Sequence, residues 1–292
     1  MLFLIFLLNT TTAIEPELAN SFPRQLYDNF ANTVVITTKP QRIVSLTLAT
    51  DEILLAICPT KNIAAISTMA TDSNYSNIVT QSSKISAKTT TNTEHILSFK
   101  PDLVFVASYS QAEMVELLQE TSATIFRFTN FNNINEIKQN IKTVGFAIGE
   151  DKQAAIIVAK MEANIKAIQA NIPKVKSPRI MSYSSGNYTA GRNTTFDAMS
   201  KLVGAVNIVA EQGINQHVKI NNEYILAWQP DFIISHAHKD KFDLVTQQML
   251  TNPAIAASKA KIIIIETRHF LSVSQYIIAG IRTLAKKLYN IK

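Results

Sequence analysis

Residues 93–108 read TEHILSFKPDLVFVAS, and residues 222–237 read NEYILAWQPDFIISHA. The two stretches align without a gap: Glu94 with Glu223, Ile96 and Leu97 with Ile225 and Leu226, Pro101 and Asp102 with Pro230 and Asp231. Each opens as a short helix with a carboxylate near its positive N-terminal end and stops at a proline, which has no N–H to continue the ladder. The apolar, β-branched run that follows, Val104 to Val106 or Ile233 and Ile234, has the pattern of a parallel strand buried on both faces. Upstream of each copy a second pair recurs, PQRIVS at 40–45 and PRIMS at 178–182, and both read as a strand entering a core. Duplication on this scale predicts two α/β lobes of one architecture with parallel-type sheets, rather than a solenoid.

Between the copies, residues 150–172 contain neither Pro nor Gly and are rich in helix formers. Ala154, Val158, Met161, Ile165, Ile168 and Ile172 recur at steps of four and three, which makes one apolar stripe. Gly149 before the segment and Pro173 after it mark its limits. The spacing therefore predicts a single long α-helix over 150–172, a rigid spacer between a lobe at 34–145 and a lobe at 177–292, with a ligand cleft between them.

Composition narrows the function. Hydrophobic residues make up 47% and charged residues 17%, the balance of a chain that folds around a core. The net charge of +6 is spread over scattered Lys and Arg, and no basic run reaches the length of a nucleic-acid-binding tail. Leu2 to Leu8 form a short apolar run followed by Thr11-Thr12-Ala13, so residues 1–13 are expected to be a signal peptide and the remainder a soluble, exported, periplasmic protein. Cys58, the sole cysteine, permits no internal disulfide and sits in an apolar segment, where packing is the expected role. No Gly-x-Ser-x-Gly elbow and no Gly-x-Gly-x-x-Gly turn occurs. Gly186 to Gly191 has the spacing of a phosphate loop, but Arg192 and Asn193 stand where Lys-Ser/Thr is required, and Gly191 is expected to serve a tight turn. No catalytic residue is assigned on these grounds. A hydrolase or transferase of unrecognised type using the cleft is the alternative to a binding protein.

The segment PQRIVSLTLATDEILLA (40–56), the two Glu…Pro-Asp units, the long central helix and GNYTAGRNTTFDAMSKLVGAVNIV (186–209) together resemble the class III periplasmic binding proteins. These are receptors of ABC importers for ferric siderophores, haem and cobalamin. The resemblance covers roughly residues 34–292 and implies a monomeric receptor, without enzymatic activity, that hands a small-molecule metal chelate to a permease dimer. It also implies that Glu94 and Glu223, one per lobe, dock onto basic residues of the two permease subunits. In parallel sheets ligands meet the loops at the carboxyl ends of the strands. In the first lobe those loops hold Leu48, Ala49, Thr50, Tyr75, Lys88, Ser108 and Tyr109; in the second, Tyr183, Tyr188, Arg192, His236, His238, Arg268, His269 and Phe270. Thr50 has a rival role as N-cap of the helix that begins with Asp51 and Glu52.

Such an aromatic and cationic lining suits a flat or aryl-bearing anionic chelate. His236 and His238 face the same way on extended chain, but two imidazoles do not make a metal site, and none is expected. Nor is a resident cofactor expected, any metal being the ligand's own. Family members that bind haem carry a Tyr where this chain has Ala87, and cobalamin receptors can carry an aromatic where it has Lys88. The expected order is thus ferric siderophore first, cobalamin next and haem last.

Overall fold

The computed structural model describes residues 21–27, 33–108 and 110–291; the expected signal peptide and Tyr109 lie outside them. In lobe one, β1 (Arg24–Tyr27) and β2 (Thr33–Ile36) form an antiparallel pair. Beside it lie β3 (Ile43–Ser45), β4 (Ile63–Ser67), β5 (Lys88–Thr89), β6 (Leu103–Ala107) and β7 (Thr124–Phe128), a parallel sheet in the order β5-β4-β3-β6-β7. Lobe two contains β8 (Arg179–Ser182), β9 (Tyr188–Ala190), β10 (Val206–Asn207), β11 (His217–Lys219), β12 (Phe232–Ala237) and β13 (Lys261–Glu266). Its parallel sheet runs β10-β8-β12-β13, and β9 pairs antiparallel with β11 as a separate ribbon. Both sheets share one topology: the first core strand lies between the second and third, so each has a switch point beside it, between β3 and β4 or β8 and β10 on one side and β6 or β12 on the other.

The repeat seen in sequence is a repeat of hydrogen bonds. Helix Thr93–Ser98 precedes β6 and helix Asn222–Trp228 precedes β12. Each helix leads to a non-glycine residue at positive φ, Lys100 (48°) or Gln229 (50°), immediately before the proline. The aspartate after each proline then ties two strands together. Asp102 Oδ2 accepts from Gln41 N at 2.6 Å and from Arg42 N at 3.1 Å; Asp231 Oδ2 accepts from Arg179 N at 2.7 Å. In return the Asp102 and Asp231 amides donate to the carbonyls of Arg42 and Arg179, at 3.1 and 2.8 Å. Each Pro-Asp thus locks the start of its own strand to the start of the central one.

Helix Asp151–Ala170 connects the lobes, about 30 Å long at 1.5 Å per residue. The chain leaves the helix before Ile172, which the apolar pattern had included and which still packs against the core. Ala154, Val158, Met161, Ile165 and Ile168 are its buried stripe. They join one apolar cluster that runs from Ile43, Leu54 and Phe105 of lobe one to Ile180, Phe196, Ile265 and Leu284 of lobe two. The outer face of each sheet has a cluster of its own, around Val104 and Met114 in lobe one and around Met181 and Ile233 in lobe two.

The spine is held against helix Ile134–Ile148 by a contact that requires small residues. That helix ends at Gly149 in left-handed conformation (φ 72°), and the chain turns back so closely that a Cβ on Gly145 would lie 2.4 Å from the Ala154 Cβ. Gly→Ala in a helix is ordinarily stabilising by about 1 kcal/mol. Here overpacking reverses the sign: Gly145→Ala should destabilise by about 1–3 kcal/mol, measured by urea unfolding. A more stable variant would show that the helices are not in contact at this point.

Candidate functional site

The carboxyl ends of the central strands bring the two lobes face to face. After β3 the helix Leu48–Ile57 begins, and its N-cap is Thr47, whose hydroxyl accepts from Thr50 N at 3.2 Å. Thr50, for which the cap was the rival role to ligand contact, lies within the first turn. Its buried hydroxyl is held by Ser45 Oγ at 2.6 Å and Thr47 Oγ1 at 2.8 Å. Ala49 is buried too, and Leu48 is partly buried against the core. Among the lobe-one loop residues chosen from sequence, Tyr75 is an open aromatic, 42% exposed. Ser108 is exposed at the end of β6.

In lobe two, Tyr183 follows β8 and is buried, its hydroxyl donating to Asn187 Oδ1 at 2.7 Å. Tyr188 opens β9 and is 47% exposed. Gly191 follows it at a point where a Cβ would fall 2.1 Å from the Ile214 carbonyl oxygen. The requirement for glycine there is close approach of two backbones, not the turn expected from sequence. His236, at the end of β12, stacks on the buried Phe270 ring (centroids 5.3 Å apart, planes at 22°), with Nδ1 3.1 Å from Thr267 Oγ1. His238 turns away to hydrogen-bond Asp240, so the two imidazoles serve different partners. His269 is half-buried beside them, and burial lowers the pKa of both His236 and His269.

Each cation chosen from sequence has an internal partner, although Arg192 is exposed and engages only its Nε. Lys88 Nζ donates to the carbonyls of Ser82, at 3.0 Å, and Ile85, so it closes the turn after helix Val79–Ser82. Arg192 Nε donates to Ala210 O at 2.8 Å. Arg268 is paired with Glu266, at 2.8 Å from Nε and 2.7 Å from Nη2. The side chains of Tyr75, Tyr188 and His269 have no hydrogen-bond partner among the described residues, and neither have the Nη groups of Arg192.

Residues that sequence reading passed over join the lobes. Glu52 is 2% exposed, on the first helix of lobe one. Its Oε1 accepts from Asn77 N at 3.0 Å and Nδ2 at 2.8 Å, and its Oε2 from Ser274 Oγ and, at 3.4 Å, Ser272 Oγ of lobe two. Gln275 Nε2 donates to the Glu52 carbonyl at 2.8 Å. Asn77 Nδ2 also donates to Arg268 O at 2.9 Å, which seats the Tyr75 loop against the Arg268 turn. Asp51, fully buried beside Glu52, accepts from the Ser67 amide and hydroxyl. The signal in sequence was adjacent acids in an otherwise apolar helix, with no Lys or Arg four residues away on either side.

Burial pushes the Asp51 carboxyl up to about 7 and raises Glu52 as well. From about pH 4 to about pH 7 the folded chain therefore binds protons that the unfolded chain has released, and stability falls as pH rises through that window. Asp51→Asn removes one of these titrations. Its urea-unfolding free energy should fall less than the wild type's between about pH 5 and about pH 8. Parallel pH profiles for the two proteins would mean that Asp51 stays ionised in the fold.

Comparison with known proteins agrees with this geometry. A family model described as periplasmic binding protein matches residues 43–264. A cobalamin-binding protein of Halobacterium salinarum is 23% identical over 282 residues, which covers 93% of this chain and 76% of that protein. A periplasmic binding protein from Veillonella parvula superposes with a TM-score of 0.78 at 18% identity, over 92% of this chain and 98% of that one. The molybdate-bound MolA of Haemophilus influenzae gives a TM-score of 0.75 at 22% identity, over 91% of each chain. No helix among the described residues is long and apolar enough to cross a membrane. With its two lobes, parallel sheets and more than half its length matched by the family model, the chain belongs to the periplasmic binding proteins, the substrate-binding components of ABC transporters.

Proposed function

We propose that this receptor works in the periplasm and captures a corrinoid of the cobalamin type, delivering it to its permease. One observation carries the choice of ligand. Lys88, Arg192 and Arg268, the groups that would meet an anionic ferric chelate, already have internal partners. Lys88 would give up its carbonyls and Arg268 its ion pair to meet an anion, which leaves the Nη groups of Arg192, whereas Tyr75, Tyr188 and His269, whose burial favours the neutral ring, offer largely uncharged contact area. That moves the preference from a ferric siderophore, favoured on sequence, to the large and weakly charged cobalt chelate. The near full-length similarity to a cobalamin-binding protein points the same way.

Delivery is the role proposed for Glu94 and Glu223. Both are exposed in the first turn of the two equivalent helices, and neither carboxylate has a partner among the described residues. Two free carboxylates at matching places on similar lobes suit a two-fold symmetric partner, one lobe to each subunit. Charges so placed govern orientation and association rate more than affinity.

Calorimetry and transport in vesicles containing the importer test both parts. Cyanocobalamin should bind more tightly than a ferric catecholate siderophore or haemin. Arg192→Ala should change its affinity by less than about fivefold, the worth of a partly exposed charge contact. In the Glu94→Ala, Glu223→Ala double variant uptake should fall while binding stays intact. Preference for the ferric catecholate contradicts the ligand assignment, and undiminished uptake contradicts the docking role.

A further inference from the structure

A cavity of ≈ 540 Å³ opens in lobe two among the end of β12, the loop after β8 and the helix Phe242–Leu250. Its lining contains no Asp, Glu, Lys or Arg, although the chain carries a net charge of +6. Beside the apolar Val245, Met249 and Pro253 and the His236 ring, the lining carries carboxamides and hydroxyls, some of which satisfy one another. Tyr183 Oη donates to Asn187 Oδ1 and accepts from Asn252 Nδ2 at 3.0 Å; Asn252 Nδ2 also donates to Asn222 Oδ1 at 2.8 Å. Asn252 Oδ1 is occupied by the Ala254 amide at 2.9 Å.

That network fixes the walls and leaves a defined set of groups over. The Nδ2 groups of Asn187 and Asn222 and both ends of the Gln248 amide have no partner among the described residues. Neither has the hydroxyl of Ser235, a residue only 5% exposed, on the strand that forms the cavity wall. Its hydroxyl opens onto the cavity and is available to a group that enters it. The free set offers several donors and, in Gln248 Oε1, an acceptor, with no charge to neutralise an ion.

We propose that the cavity is a carboxamide subsite, taking the uncharged primary amide arms that a corrinoid carries around its ring. The ligand's identity rests on the function proposed above, while the chemistry of the cavity does not. A primary amide pairs with Gln248 through one N–H···O bond in each direction, and its carbonyl oxygen can accept from Asn187 or Asn222 as well. A carboxylate at the same place has no N–H for Gln248 Oε1 and carries a charge into an uncharged wall.

Two measurements on the full chain separate the subsite from the ligand. In the first, isotope-labelled protein is titrated with propionamide and, in parallel, with propionate. Saturable shifts of the Gln248 and Asn222 side-chain amides are expected with propionamide alone, and their loss in Gln248→Leu, a change on an exposed helical position that spares the fold. Absence of shifts, or equal shifts with propionate, overturns the subsite. In the second, cyanocobalamin is compared with its side-chain monocarboxylic acids. At least one acid should bind about tenfold more weakly to the wild type, and Gln248→Leu should weaken cyanocobalamin about tenfold, the loss expected for hydrogen bonds worth about 1.4 kcal/mol. Tight cyanocobalamin binding untouched by either change overturns the proposal. Propionamide shifts without cyanocobalamin binding support the subsite and overturn only the corrinoid reading.

Discussion

The buried carboxylate of Glu52 is satisfied only while both lobes stay where they are. Asn77 holds one oxygen from lobe one, and Ser272 and Ser274 hold the other from a segment more than 200 residues further along the chain. Separating the lobes would break the serine bonds to this carboxyl and the Gln275 bond to its backbone together, exchanging them for water. The spine adds a second constraint of a different kind. Its apolar stripe belongs to a cluster shared by both lobes, so bending at the junction would open packed surface as well as break helical hydrogen bonds. The cleft is for that reason largely preformed, and Tyr75 and the Arg268 turn meet through Asn77 before any ligand arrives.

The lobes and their similarity were legible in sequence because their cause is local. Pro-Asp must follow a short helix and precede a buried strand, and Asp102 and Asp231 perform the same bonds in both copies. The spine was legible because an apolar residue every third or fourth position is enough to define it. The junction was not, because Ser272 and Ser274 acquire meaning only once folding places them beside Glu52. Side-chain direction was hidden for the same reason. Thr50 and Ala49 lie in the loop region that parallel-sheet geometry selects, yet the helix turns both into the core. Lys88 and Arg192 look in sequence like free cations, and it takes the fold to show which carbonyls they reach.

These internal commitments carry the chemistry of the site. Lys88 and the Nε of Arg192 donate to backbone carbonyls, Arg268 pairs with Glu266, and burial inclines His236 and His269 to the neutral form. The recognition proposed here rests on shape and on hydrogen bonds between uncharged groups, such as the carboxamides of the second-lobe cavity. The docking role proposed for Glu94 and Glu223 would depend on their spacing, which the junction and the spine constrain.

That constancy can be measured as a distance. Spin labels on Ser98→Cys and Ala227→Cys, in a Cys58→Ser background, report the separation of the two helices that carry Glu94 and Glu223. A single narrow distance distribution is predicted for the free protein, moving by no more than about 2 Å once bound cyanocobalamin has been verified by its absorbance. A broad or two-peaked distribution in the free protein, or a shift well beyond that on binding, would contradict a cleft held open by Glu52 and the spine.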